Sequence, residues 1–283
     1  MSESAPPDRT GQVIAGRYRL VAQLDRGGQG VVYRAIDQRH GDEVAIKVLA
    51  GHNSKDIEWR ERMMREAHAL TVLSGTSAVQ IFHQAWTDDG AFCLVTELLH
   101  GKDFEDHLVA LEARGEKLNP AELAKLLEPV VTTLEAAHRA GILHRDLKPR
   151  NIFVLDKGGV RLLDFGFAKF TRMRTVTQVG MVAGSPSYIP PEIWRGAEHL
   201  DERIDVYSLA AVAFRALGGA PPFSGNGMAD VLVKVTTAPR PSLFALRPDL
   251  NPRIDDWVQL ALAIEPDHRF QSVRSMWVAL GSL

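Results

Sequence analysis

Cysteine is almost absent from this chain. Cys93 is the one thiol in 283 residues, so no disulfide can form within the chain, and the composition fits a reducing, cytoplasmic compartment. Cys93 itself lies in the apolar run Phe92-Cys93-Leu94-Val95, where a thiol behaves as a small buried hydrophobe rather than as a nucleophile. Long apolar runs are missing too. None approaches the roughly 20 residues that a bilayer-spanning helix requires, so no membrane segment is expected within the chain. There is also no excess of charge of one sign: Lys and Arg number 33 against 35 Asp and Glu, for a net charge of -2. That balance offers no general surface for nucleic acid or an anionic membrane. No repeat and no low-complexity tail is visible. Residues 1–16 carry Ser, Pro, Asp and Arg without an apolar signal core, and are expected to form a disordered lead-in. The remainder is ordinary globular composition, 45% hydrophobic and 24% charged, enough for one large core or two modest ones.

Against that background one stretch stands out, His144-Arg145-Asp146-Leu147-Lys148-Pro149-Arg150-Asn151. Four charged side chains, a histidine and an amide are packed together. Apolar Gly141-Ile142-Leu143 precedes them and Ile152-Phe153-Val154-Leu155 follows. A polar loop between two apolar segments, both expected as buried strands, is a well-anchored place for a site. Pro149 disfavours helix at Lys148. Further on, Asp164-Phe165-Gly166 ends the short apolar run Val160-Arg161-Leu162-Leu163. Asp146 and Asn151 on one loop and Asp164 on the next can converge as oxygen ligands, which suit magnesium, since it takes one or two from protein and others from phosphates. An Asp-Asn pair for metal with the other Asp as base is what phosphoryl transfer asks for.

These two motifs resemble the H-R-D-L-x-x-x-N and D-F-G signatures of the protein kinase family. Lys148-Pro149 resembles the serine/threonine branch, and the short inserts resemble the bacterial, Hanks-type members. The resemblance runs from about Arg17 to Leu280. It implies a bilobal α+β fold, with an antiparallel sheet plus one helix over about 17–99 and a mainly helical lobe over about 100–283. ATP and Mg2+ would lie between the lobes. Asp146 would accept or orient the hydroxyl proton and Lys148 would stabilise the transferring group. Asn151 and Asp164 would hold the metal, and Phe153 would form the floor under the adenine.

The rest of the chain can be taken in order. Alternation over Arg17–Leu24 predicts a strand. Asp25-Arg26-Gly27-Gly28-Gln29-Gly30 follows, then a second strand from Val31. Glycines between strands allow close backbone approach to a ligand, and their amides can cradle phosphate. The stretch resembles the family's glycine-rich loop, implying nucleotide contacts from Leu24, Asp25, Gly27, Gly28, Gly30 and Val32. Asp25 is a departure, since the family has glycine there. Its carboxylate could meet ribose hydroxyls or weakly repel the triphosphate. Val44-Ala45-Ile46-Lys47 places a lysine in an apolar strand, where an unpaired ammonium is costly. An apolar stripe predicts a helix over Ile57–Leu73, and Glu66 falls within the stripe, with Glu61 as the fallback partner. By resemblance Lys47 holds the α- and β-phosphates and Glu66 orients it, Ala45 lines the adenine site, Thr96 is the gatekeeper and Glu97-Leu98-Leu99 the hinge.

Strands are expected over Val79–Trp86 and Ala91–Glu97, a polar helix over about Asp103–Arg114, and a longer one from Asn119-Pro120 to about Ala140, since Asn at N-cap with Pro at N1 is a start signal. His138, near its end, is read as structural. Gly166 to Pro190 has no clear period and resembles the activation segment. There Thr177, then Thr175, match the phosphorylated positions, with Arg145 placed to meet the phosphate. Asp205 could cap the helix it begins; by resemblance it holds the catalytic loop from below instead. Glu192 and Arg269 resemble a buried ion pair. Helices are expected over Ile204–Leu217 and near 228–235, 253–264 and 272–281. The implied partner is a protein with a Ser or Thr acceptor, with no nucleic acid. Trans-autophosphorylation through a transient dimer would modify the segment itself, and the oligomeric state stays open. A nucleotide-binding scaffold without activity would have lost a charged catalytic group, and none is lost. A small-molecule kinase is disfavoured by Pro190-Pro191-Glu192 and Arg269.

Overall fold

Alternating apolar residues in the first part of the chain become an antiparallel sheet. The computed structural model describes residues 8–27, 30–49, 61, 64, 67, 70–165 and 186–283. The chain divides into two units, one holding residues up to Ser74 with Val79–His100, the other Gly75–Ala78 with Gly101–Leu283.

The first unit is built on strands β1 (Val13–Ile14), β2 (Tyr18–Gly27), β3 (Gly30–Asp37), β4 (Glu43–Leu49), β5 (Ile81–Trp86) and β6 (Phe92–Glu97), in the order β1-β2-β3-β4-β6-β5. Every pairing is antiparallel. Period-two alternation sends Tyr33 and Ala35 of β3, and Val44, Ile46 and Val48 of β4, to one face. There they form a buried cluster with Ile14, Tyr18, Leu20, Cys93 and Val95. The Cys93 thiol is buried, and desolvation pushes it up to about 12, so it is an inert part of this core. Of the expected 57–73 helix, Glu61, Met64 and Ala67 are helical, and a 3-10 turn over Leu70–Leu73 replaces its end.

The expected disorder over 1–16 does not hold for residues 8–16. Ile14 is 2% exposed and pairs with Tyr18, because an apolar side chain there can close one end of the sheet's core. The turn that follows puts Ala15 at φ 52° and Gly16 at φ 60°, closed by Arg17 N–H on the Ile14 carbonyl at 3.0 Å.

The second unit contains a small sheet, β7 (Gly101–Asp103), β8 (Ile152–Leu155) and β9 (Val160–Leu162), in that order. Ser77 joins this unit through its carbonyl, which accepts from Leu162 N–H at 2.7 Å. The helices are α1 (Phe104–Ala113), α2 (Pro120–Arg139), α3 (Pro191–Trp194), α4 (Arg203–Gly218), α5 (Met228–Thr237), α6 (Leu243–Leu246), α7 (Ile254–Ala261) and α8 (Val273–Gly281). α2 starts as its sequence predicts, with Asn119 and Glu122 forming a reciprocal capping box and Pro120 in the first turn. α4 is buried on all sides from Ile204 to Leu217, as an all-round apolar helix must be. Its buried arginine, Arg215, is matched by Glu105 and Glu112 of α1. Trp277 of α8 donates to the Ala124 carbonyl of α2 at 3.0 Å. Among the described residues, no helix is long and apolar enough to cross a membrane.

Candidate active site

In the first unit the ladder lines up the residues expected at the nucleotide. Val32 of β3 lies opposite Lys47 of β4, and Lys47 opposite Leu94 of β6. Ala45 lies opposite Thr96. Directly opposed residues share a face, so Val32, Ala45, Lys47 and Thr96 project together, away from the Ile46–Val48 core. All four are half-buried. Asp25 lies opposite Val32 and its carboxylate accepts from Arg26 N–H at 2.8 Å. Leu24 is 52% exposed and sits at the register shift between Gln23 and Asp25. Glu97 is fixed at the strand end, exchanging bonds with Gln80: its N–H donates to the Gln80 carbonyl at 3.1 Å, and its carboxylate accepts from Gln80 N–H at 2.9 Å. Leu99 follows β6 and is half-buried. Gly28 and Glu66 lie outside the described residues.

The two described glycines of the loop differ. Gly27 and Gly30 pair across the hairpin. A Cβ on Gly30 would collide with the Val48 carbonyl oxygen, and its φ is 144°, so the protein itself requires glycine there. A Cβ on Gly27 would meet no atom within 4 Å. Among the described residues nothing sterically requires glycine at that position.

In the second unit side chains of the 144–151 loop converge. The Asp146 carboxylate is 5% exposed. Lys148 Nζ donates to it at 3.0 Å. Asn151 Nδ2 donates to the Asp146 carbonyl at 2.7 Å and to its carboxylate at 3.1 Å, which fixes the orientation of the amide. Phe153 on β8 lies opposite Asp103 and Arg161. Asp164 follows β9 at φ 50°, and Arg145 sits at φ 65°. Left-handed backbone at two non-glycine residues costs on the order of 1–3 kcal/mol each and needs a rigid surround.

That surround is visible. The segment before the loop is irregular backbone rather than the expected strand. The anchor is Asp205, fully buried on α4, which accepts from His144 N–H at 2.8 Å, Arg145 N–H at 2.9 Å and His138 Nε2 at 2.8 Å. Burial alone would push the Asp205 carboxyl up; His138, His144 and these hydrogen bonds hold it below its usual range. Asp205 does not cap its own helix, whose N-cap is Glu202. His144 is fully buried and takes Asp146 N–H on Nδ1 at 3.3 Å, so Nε2 carries the proton donated to the Leu163 carbonyl at 2.8 Å. Burial lowers its basicity and keeps the ring neutral. Its ring lies 4.7 Å from that of Phe165. One imidazole thus joins Asp146 to the segment carrying Asp164.

The Glu192–Arg269 pair is formed through both terminal nitrogens of the guanidinium, each bond at 2.7 Å. Arg269 also donates to the carbonyls of Ala263, Arg203 and Ile264, so both charges are desolvated but fully bonded. Thr175 and Thr177 lie outside the described residues. Sequence reasoning missed that His138 bonds to Asp205, that Arg150 pairs with Asp103 at 3.1 Å, and that Arg274 joins α8 to Glu128 and Glu135. Spacing in sequence carries no trace of pairs so far apart along the chain.

Comparison with known proteins agrees. The protein kinase domain family matches residues 18–275. The chain is 36% identical over 268 residues to the serine/threonine-protein kinase PknA of Mycobacterium tuberculosis, covering 93% of this chain and 60% of that one. It is 35% identical over 280 residues to a probable serine/threonine-protein kinase PknB of Corynebacterium glutamicum, covering 96% of this chain and 43% of that one. It therefore spans less than two thirds of each of these relatives. Among solved structures, the kinase domain of Mycobacterium tuberculosis PknI aligns with a TM-score of 0.75 and 28% identity, covering 98% of this chain and 99% of that one. The chain belongs to the protein kinase family, in its bacterial serine/threonine branch.

Proposed function

We propose that this chain transfers the γ-phosphoryl group of ATP to a serine or threonine hydroxyl of a protein. The observation that carries the reading is the bonding of Asp146 to both Lys148 and Asn151 within one buried loop. Asp146 has the geometry of a group that orients the acceptor hydroxyl and takes its proton, held by Asn151 from one side. Lys148 is close enough to share its charge with a transferring phosphoryl group. Lys47, on the face it shares with Val32 and Ala45, takes the α- and β-phosphates, with Glu66 as its orienting partner. Thr96, Glu97 and Leu99 are the proposed contacts of the base. The work is positioning and electrostatics.

The donor set fits a magnesium ion. Asn151 and Asp164 offer oxygen atoms, and two protein ligands are what magnesium takes when phosphates supply others. When bound, the metal neutralises charge on the phosphate oxygens. The bare side of Gly27 fits phosphate approach. Thr177, and secondarily Thr175, are the proposed autophosphorylation sites, with Arg145 as the group a phosphate would meet. That PknA and PknB are named serine/threonine-protein kinases supports a hydroxyl acceptor on protein.

The test is binding first. Thermal stability should rise on adding ATP with magnesium, and rise much less with ATP alone. Asp164→Asn should lose the magnesium-dependent part while keeping its fold. No shift with magnesium and ATP together would contradict the reading.

A further inference from the structure

The family match begins at residue 18, yet residues 8–17 also form structure. One Asp8 carboxylate oxygen accepts from the Thr10 N–H at 3.0 Å and hydroxyl at 2.8 Å, turning the backbone at the start of the segment. Arg9 then reaches in two directions. Its backbone N–H donates to the Tyr33 hydroxyl of β3 at 3.2 Å. Its guanidinium binds the Asp89 carboxylate through both terminal nitrogens, at 2.9 and 2.6 Å, in the turn between β5 and β6. Beyond Arg9 the segment joins β2. Gly11 N–H donates to the Leu20 carbonyl and Leu20 N–H to the Gln12 carbonyl, each at 2.9 Å, and β1 continues the ladder.

β2 and β3 are the two arms of the glycine hairpin. β4 separates β3 from β6 in the sheet, so the segment ties the hairpin arms to the β5–β6 turn by bonds the ladder does not supply. The Arg9 side chain is 12% exposed and that of Asp89 61%. The cation is the buried partner, and without the carboxylate its bidentate acceptor is gone. Thr87 and Arg9 together hold the Asp89 carboxyl at about 2, with the Arg9 bond the largest cause. Asp8 is held low mainly by its bonds from Thr10 and in smaller part by Arg26, a residue of the hairpin.

We propose that residues 8–14 are a strap that positions the glycine hairpin, with the Arg9–Asp89 ion pair as its latch, so that Arg9 is a positioning residue for the nucleotide; this rests on the phosphotransferase reading above. β3 is paired with β4 along its length, so the support from the strap falls mainly on β2, the other arm of the hairpin, and a glycine tip adds no packing. Fixing both arms narrows the conformations its tip can explore.

The experiment uses the full chain with Arg9→Gln, Asp89→Asn, the double variant and Arg9→Lys. Two readouts are taken: amide hydrogen exchange of the β2–β3 hairpin in the protein alone, and kcat and KM for ATP. The strap predicts exchange in the hairpin faster by about threefold or more in Arg9→Gln. It predicts an ATP KM raised roughly threefold with kcat within about twofold, the scale of a partly exposed ion pair. Asp89→Asn should match it, the double variant should be no worse than either single one, and Arg9→Lys should lie between. If Arg9→Gln fails to fold, Arg9→Lys and Asp89→Asn carry the comparison. A lower melting temperature with unchanged hairpin exchange and unchanged KM would reduce the strap to a stability element and overturn the proposal. If the unmodified protein neither binds nor uses magnesium and ATP, the phosphotransferase reading falls, while the exchange arm still decides whether the latch governs the hairpin.

Discussion

The Asp205 carboxylate accepts the backbone N–H of Arg145 at 2.9 Å, and Arg145 is the residue of the catalytic loop held at φ 65°. A buried acid on α4 thus stabilises a left-handed turn that places Asp146 next in the chain. Asp205→Asn keeps the shape but removes the charge, and turns one of the acceptors toward donors as an amide. Hydrogen bonds to a charged group contribute roughly 1.5–3 kcal/mol, so a loss of about 2–3 kcal/mol in unfolding free energy is expected. Turnover should fall at least about tenfold with ATP affinity little changed. Denaturant unfolding and steady-state kinetics check both parts.

Gly27 and Gly30 should separate under the same substitution. Gly30→Ala forces a Cβ into the Val48 carbonyl, and should destabilise the first unit by more than about 1 kcal/mol. Gly27→Ala meets no protein atom within 4 Å. It should leave stability unchanged or slightly raised while raising the KM for ATP severalfold. Melting curves with and without nucleotide distinguish the two.

Ala15 occupies left-handed backbone at φ 52°, where a residue with a Cβ is strained by roughly 1–2 kcal/mol. Asparagine tolerates that region and favours the first central position of such a turn. Ala15→Asn should stabilise the protein by up to about 1 kcal/mol, read as a higher midpoint in denaturant, with kinetics unchanged.

Local chemistry was the legible part of this molecule. The Asn119 cap and Pro120 at the start of α2, the strand read from alternation over Arg17–Leu24 and the strand over Glu43–Leu49 each depend on neighbours in sequence, and each formed as expected. The Glu192–Arg269 pair and the role of Asp205 followed from family resemblance, not from spacing. The strap was illegible because its polar residues resemble a disordered tail; what orders it is Tyr33 and Asp89, far along the chain. The strand expected before His144 failed for the same reason. Ile142 and Leu143 are apolar enough, but the backbone N–H groups that follow them are taken by Asp205 rather than by a ladder. Asp25 read as an added negative charge on the loop, yet its carboxylate is partly satisfied by Arg26 N–H, a bond that depends on the hairpin's conformation.

The most direct measurement is phosphoryl transfer from magnesium-ATP to a serine- or threonine-containing protein, for the unmodified chain and for Asp146→Asn, with ATP affinity measured alongside. A positioned base contributes roughly 10²–10⁴-fold. The account predicts that transfer falls by about that factor, with phosphate on serine or threonine in the unmodified protein's reaction, while ATP affinity changes by less than about threefold. Unchanged turnover in Asp146→Asn, or no transfer by the unmodified protein despite nucleotide binding, would contradict it.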